Sequence, residues 1–335
     1  MKELLKLDEN RRNKIFETTA NQMNASPIII EKDFWVCVVL DYLMNKCKYK
    51  ECFLFKGGTS LSKCYNVIDR FSEDLDIVIK WDYLGFTDEE VYQERSRTQN
   101  ALFEEKMNIR GAAFIQNELK EDLKENLLKI DSGLKVVSDD ANRLVLYIKY
   151  NQSNYDTYIN SAVKLELGPI AVKTPTERRK IVPYYNAYFN LKDDDRDFDV
   201  NVVSIARTFW EKILILYSET NRPVDKKMPP RYFRHYYDVA MIFVSKYFKK
   251  IVDNVYIFED AKHFNSKYYY HSWAQIEKCD LSTIRIYPKE YQLEELRSDY
   301  IEMIEMFFGN TPSFEEIIEM IKKLEIELRK LVLAR

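Results

Sequence analysis

Two aspartates, Asp74 and Asp76, follow closely on a glycine pair, Gly57-Gly58, and on two hydroxyl residues, Thr59 and Ser60. These residue types at this spacing suit phosphate chemistry. Paired glycines let a backbone turn tightly and approach a ligand with no Cβ in the way. Hydroxyl residues opening a short helix sit beside N–H groups that suit a phosphate. Strand side chains alternate between faces. A strand at Asp74 therefore sends Leu75, Ile77 and Ile79 one way and Ser72, Asp74 and Asp76 the other. Two carboxylates on one strand face make poor core and good ligands for a divalent cation. A phosphate cradle followed by a carboxylate pair is what nucleotidyl transfer needs. Singly, each feature is common: Asp-x-Asp also marks solvated edge strands, and Gly-Gly is often only a turn. A P-loop is excluded, because Lys56 precedes the glycines and no Gly-Lys-Ser/Thr follows them.

These residues need elements to hold them. Phe53-Leu54-Phe55 reads as a buried strand ending at the glycines. Strands are expected at 52–55, 74–80, 143–150 and 161–168, with helices near 88–108 and 114–129 between them. Residues 10–48 read as two helices broken near Ser26-Pro27. Strands interleaved with helices predict an α+β fold, a mixed sheet flanked by helices. The polar, acidic stretch 184–200, with Lys192-Asp193-Asp194-Asp195-Arg196-Asp197, reads as a loop or linker. From Ser204 the period is helical, apart from a tyrosine-rich patch at 255–273. Ser313 and Glu316 form a capping box before a final amphipathic helix. The expected division is a catalytic lobe over 1–200 and a helical C-terminal lobe over 201–335, with the cleft between them.

At 335 residues the chain can bury a real core, and a net charge of −3 gives no global nucleic-acid signature. Any RNA must be held by local patches. The five cysteines form no Cys-x-x-Cys pair and the three histidines are scattered, which argues against structural zinc. Without a signal peptide or an apolar run near eighteen residues, the expectation is a soluble cytoplasmic protein that does not engage a membrane. Arg222, Lys226, Lys227, Arg231 and Arg234 stand against one acid, Asp225, around Pro229-Pro230. Such a loop can hold an RNA backbone or be merely solvated. Glu177-Arg178-Arg179-Lys180 is a second basic candidate. Tyrosine dominates a high aromatic content, and packing is its default use, with base stacking the alternative.

Four segments resemble the AbiEii/AbiGii toxin family of the nucleotidyltransferase superfamily. They are Ile30-Glu31-Lys32-Asp33-Phe34-Trp35-Val36; Phe55 to Lys63 around the glycines; Arg70-Phe71-Ser72-Glu73-Asp74-Leu75-Asp76; and Arg207 to Lys212 with Arg234-His235-Tyr236-Tyr237-Asp238. The resemblance spans about residues 28–240. It implies a nucleotidyltransferase-type sheet and transfer of NMP from an NTP with Mg²⁺, two ions being expected. Metal ligands would be Asp74, Asp76 and, from a neighbouring strand, Glu166; the alternative for Glu166 is pairing with a lysine on an open sheet face. Catalytic residues would be Asp74, Asp76, Lys212 and Asp238. Nucleotide contacts would be Lys56, Gly57, Gly58, Thr59, Ser60, Ser72, Arg207 and Arg234. On periodicity alone Lys212 would be a solvated lysine, and Arg234 with Asp238 an i,i+4 ion pair. His235 reads as a structural histidine ahead of a general base. Phosphorylation of Ser72 would add negative charge beside the metal site.

By resemblance the chain is the toxin of a toxin–antitoxin or abortive-infection (phage-defence) pair. Its partners would be an antitoxin encoded nearby and, as acceptor, the 3′ end of tRNA, since some relatives add nucleotides there. The competing readings are a transferase modifying a protein hydroxyl or a small molecule, and a non-catalytic NTP-binding regulatory module. Oligomeric state is open.

Overall fold

The structure, a computed structural model, describes residues 1–72, 74–151, 161–187, 189 and 197–333. The chain forms two compact units. The first comprises Met1–Cys64, Phe71–Arg95 and Ala101–Val203; the second comprises Tyr65–Arg70, Ser96–Asn100 and Ser204–Arg335.

The first unit is built on a seven-stranded mixed sheet of order β3-β4-β5-β2-β1-β7-β6. Its strands are β1 Phe53–Lys56, β2 Asp74–Ile79, β3 Lys135–Ser138, β4 Val145–Lys149, β5 Ala162–Gly168, β6 Thr176–Ile181 and β7 Phe198–Val203. β2 runs antiparallel to β1 and parallel to β5, so the strand carrying the aspartates is central. Helices α1 Lys2–Leu5, α2 Glu9–Met23, α3 Pro27–Asp41, α4 Gly57–Lys63, α5 Asp88–Tyr92, α6 Arg97–Phe114 and α7 Lys120–Ile130 accompany it. The break at Ser26-Pro27 is a helix start: Ser26 Oγ accepts from the Ile28 N–H, and Pro27 sits at the first helical position. From there α3 is buried on every side through Leu40, its charged Glu31, Lys32 and Asp33 included.

That burial includes Asp33, whose Oδ1 lies 2.6 Å from Lys63 Nζ. Asp33 Oδ2 accepts from the Tyr184 N–H at 2.8 Å, and the Lys63 ammonium lies 3.8 Å over the Tyr184 ring. A dry ion pair with this many partners ties α3 to the end of α4, the helix that the glycines open. Two segments quoted for the family resemblance thus meet in the interior.

The sheet has three strands beyond the four expected. β3 and β6 are its two edges, and β7 begins in the last three residues of the 184–200 stretch read as a loop or linker. The edge strand β6 carries charge on both faces, which protects it against further pairing and erases the apolar alternation, while β3 is only the four residues Lys135–Ser138. In β6 that charge is Glu177-Arg178-Arg179-Lys180, so the second basic candidate is corrected. Arg178 pairs with Asp199 at 3.1 Å, Lys180 pairs with Asp197 at 2.9 Å, and Arg179 pairs with Glu177. Residues 190–196, which hold most of the acidic run, lie outside the described residues.

The second unit is helical: α8 Ile205–Thr220, α9 Phe233–Val244, α10 Phe248–Val252, α11 Tyr256–Tyr268, α12 Glu290–Met303 and α13 Phe314–Leu333. The tyrosine-rich patch is mostly the helix α11, with Ile257, Phe258, Ala261, Phe264 and Tyr268 buried at helical spacing. The capping box forms as read: Ser313 N–H donates to Glu316 Oε2 at 2.8 Å, and Glu316 N–H to Ser313 Oγ at 3.3 Å. Among the described residues no helix is long and apolar enough to cross a membrane.

Candidate active site

In the first unit the turn from β1 into α4 is shaped by one contact. Gly57 has φ +78°, a conformation that side chains resist, and a Cβ there would stand 1.8 Å from Asp76 Oδ2. The carboxylate therefore occupies the space that glycine leaves open. Strand register sets out the rest of the face. Lys56, Asp76 and Glu166 lie opposite one another on β1, β2 and β5, and Asp74 lies opposite Lys164. Asp74 and Asp76 are partly exposed while Leu75 and Ile77 are buried, the alternation expected of this strand. Thr59 Oγ1 reaches the backbone carbonyls of Ser72 at 3.1 Å and Asp74 at 2.5 Å, fastening α4 to the start of β2.

In the second unit Asp238, wholly buried on α9, is shared by two cations. Arg70 grips it with Nε at 2.7 Å from Oδ1 and Nη2 at 2.8 Å from Oδ2; Lys212 Nζ of α8 lies 3.0 Å from Oδ2. Burial by itself would raise the carboxyl pKa, but the Arg70 and Lys212 charges outweigh it and hold the group far below the usual carboxylate range. Lys212 has its own pKa lowered by burial; Asp238 opposes that shift, and the Arg70 and Arg234 charges reinforce it. His235 Nδ1 lies 3.4 Å from Lys212 Nζ. Burial and the charges of Lys212 and Arg234 push the imidazole well below its ordinary pKa. It is neutral at pH 7, and the ring nitrogen facing the lysine is assigned as the acceptor. Arg70 is itself held in place: the Asp69 N–H donates to Tyr237 Oη at 3.0 Å, and Phe308 N–H to the Asp69 carbonyl at 2.9 Å.

Several expectations are revised. The Thr59 and Ser60 hydroxyls are buried and donate to backbone carbonyls, Ser60 Oγ to Gly57 O at 2.7 Å, so they brace the turn and do not point at a ligand. Glu166 forms an ion pair with Lys164, the alternative left open for it. Burial lowers the Lys164 pKa, but the hydrogen bond to Glu166 and the charge of Asp74 more than reverse that. Arg207 is fully buried, with Nε 2.9 Å from Glu211 Oε1 and Nη1 bound to Asp260, so it is a structural cation and not a nucleotide contact. Arg234 is exposed, and Asp238 is held by Arg70 and Lys212 in place of the i,i+4 pair. Ser72 precedes β2 and is partly exposed. The residue missed was Arg70. It stood in the quoted segment, yet an arginine before a strand shows no partner 168 positions away.

Asp74 and Asp76 fit a magnesium ion. They are hard oxygen donors on one face, beside a turn stripped of its Cβ, and Mg²⁺ takes one or two carboxylates with phosphates and water completing its shell. Among the described residues no group of three or more acidic, histidine or cysteine side chains is placed to hold a metal ion.

No curated protein matches the chain. A solved structure from H. pylori, described as a candidate nucleotidyltransferase, aligns with TM-score 0.45 and 13% identity over 92% of this chain and 99% of its own. MenT4, a nucleotidyltransferase toxin from Mycobacterium tuberculosis H37Rv, aligns with TM-score 0.35 and 16% identity over 87% of this chain and 98% of its own. The family profile for the nucleotidyl transferase AbiEii toxin, type IV toxin–antitoxin system, matches residues 39–320. The aspartate strand, the glycine turn and the Lys212–Asp238 pair all fall within that match, and the chain belongs to the AbiEii family of nucleotidyltransferase toxins.

Proposed function

We propose that the chain transfers a nucleoside monophosphate from an NTP to the 3′ end of tRNA, releasing pyrophosphate and stopping growth. The observation that carries the reaction class is Asp76 standing in the space over Gly57, which sets a carboxylate of the pair against the glycine turn. Transfer forms a bond from the acceptor hydroxyl oxygen to the α-phosphorus and breaks the bond to the departing pyrophosphate. A magnesium ion bound at Asp74 and Asp76 would neutralise phosphate charge and favour the ionised acceptor oxygen. Lys56 and the turn Gly57-Gly58 line the triphosphate, with Ser72 at the edge of the same face. Lys212, oriented by Asp238 and by the neutral His235, is the second unit's candidate phosphate contact, with exposed Arg234 adding positive charge near it. The acceptor rests on the likeness to family members that extend tRNA. Membership of a toxin–antitoxin family implies an antitoxin partner.

The test incubates the purified protein with Mg²⁺, total bacterial tRNA and each α-labelled NTP in turn, beside Asp74→Ala. Label on tRNA that disappears in the variant is the expected result. Label appearing on protein, on a small molecule or nowhere would overturn the acceptor assignment. Label on tRNA that persists with folded Asp74→Ala would overturn the site.

A further inference from the structure

The basic loop and the end of the tyrosine-rich segment, far apart in sequence, meet on one surface of the second unit. The rings of His271 and Trp273 lie nearly parallel, 8° apart with centroids at 5.3 Å. The Arg222 guanidinium lies over Trp273 at 4.6 Å, and the Lys226 ammonium at 6.0 Å. The backbone fixes this stack. Ala274 N–H donates to His271 O at 2.9 Å, and Asn221 Nδ2 donates to Ala274 O at 3.1 Å, which pins the aromatic turn to the end of α8. His271, Lys226 and Lys227 are exposed and Trp273 is part-exposed. Arg222 is committed to buried Glu219 at 2.5 Å, so it stiffens the stack, leaving the two lysines against Asp225 as the free charges.

We infer that this surface binds single-stranded RNA, the exposed His271–Trp273 stack taking a base and Lys226 and Lys227 the flanking phosphates. Stacked rings beside flexible cations are the means by which proteins hold unpaired nucleotides, because every base has a π face and every linkage a charge. A duplex would offer no free base to the stack. The surface is also continuous with the candidate site. The basic loop runs on into Tyr232, whose ring packs on His235 at 4.8 Å, and His235 Nδ1 lies 3.4 Å from Lys212 Nζ. Along α8 the rise from Lys212 to the helix end at Thr220, next to Asn221 that pins the aromatic turn, is about 12 Å at 1.5 Å per residue. This assignment rests on the RNA-acceptor reading and deepens it: the platform would hold an unpaired end close to Lys212.

Three of the four tryptophans, Trp35, Trp81 and Trp210, are buried, so emission quenched by a stacking base reports Trp273. The probe is a fluorescein-free eight-nucleotide single-stranded RNA, titrated without NTP, with inorganic polyphosphate as a charge-only control. The expected result is quenching by RNA and not by polyphosphate, lost in Trp273→Phe although that variant still binds, as read by filter retention. His271→Ala should weaken retention by about fivefold to a hundredfold. Lys226→Ala with Lys227→Ala should lower the slope of log affinity on log salt by roughly 0.7 per lysine. Unchanged affinity and slope in these variants, or equal quenching by polyphosphate, would overturn the platform. If those variants nevertheless label tRNA with unaltered KM, the transfer reading survives alone. Platform-dependent binding without any RNA labelling would sustain the surface and remove the acceptor.

Discussion

Arg70 and Lys212 both lean on Asp238, but removing them has different consequences. Lys212→Ala leaves the bidentate Arg70–Asp238 pair intact, so its stability should change by less than about 2 kcal/mol while NMP transfer falls by at least a hundredfold. Asp238→Ala strands two buried cations, and breaking such a cluster costs about 3–5 kcal/mol. Thermal unfolding beside the labelling assay separates the two cases; equal melting losses would mean that Lys212 is a structural cation. The same cluster sets an acid sensitivity. Asp238 has a depressed native pKa, so its contribution is full above the ordinary carboxylate range, near 4, and is lost as pH falls through the native value. His235 stays neutral in the fold while the unfolded chain takes a proton below about 6.5, so it too costs stability as pH falls. The melting temperature should therefore decline from about pH 6.5 downward, and His235→Gln should flatten the upper part of that decline and leave the lower part. An unaltered profile in His235→Gln would remove the histidine from this account. At this scale Asp74 and Asp76 were readable because residue type and spacing announce them, and Lys212 only through the family resemblance, whereas Arg70 and the Thr59 hydroxyl act through partners that only folding supplies.

The turn between β1 and α4 is the element on which the first-unit residues depend. Gly57→Ala must place a side chain at φ +78° and push its Cβ into Asp76. The left-handed backbone alone costs about 1–2 kcal/mol, and because the obstacle is the carboxylate itself, relief comes by displacing Asp76. The variant should lose transfer activity out of proportion to its melting temperature. Full activity at wild-type KM would show that Asp76 is not needed where it stands. The elements most legible in sequence were those whose burial is one-sided or complete: β1, β2, β4 and β5, and the pair α2 and α3 divided at Ser26-Pro27. Those misread differ in cause. Edge strand β6 trades apolar alternation for charge, β3 is only the four residues Lys135–Ser138, β7 hides its Phe198, Val200 and Val202 stripe beside an acidic run, and α11 buries a helical stripe under tyrosines that suggested something else. The charge on β6 looked like an RNA patch because cross-strand pairing with Asp197 and Asp199 leaves no local trace in sequence.

For the molecule as a whole, the two sets of candidate site residues fall in different units: Asp74 and Asp76 belong to the first, Lys212 and Asp238 to the second. This division makes a prediction about how losses combine. Groups that act on one transition state lose their effect together, so removing the second after the first costs little more. Groups that serve separate tasks, such as NTP capture by one unit and RNA capture by the other, lose independently, and their free energies add. Asp74→Ala and Lys212→Ala should each relieve growth arrest on induction in a bacterial host and each abolish most NMP transfer. The double variant should be no more than a few-fold below the weaker single one, although the product of the separate losses would be at least ten-thousandfold. The measurement is labelling of tRNA under single-turnover conditions with all four proteins at matched folded concentration, confirmed by the growth phenotype. Additive losses would assign the two units to different steps, and a toxic double variant would detach growth arrest from this chemistry altogether. The net charge of −3 bears on the same experiment. With no global field to draw RNA in, the labelling should depend on salt only through local contacts, a shallow dependence that Lys226 and Lys227 account for.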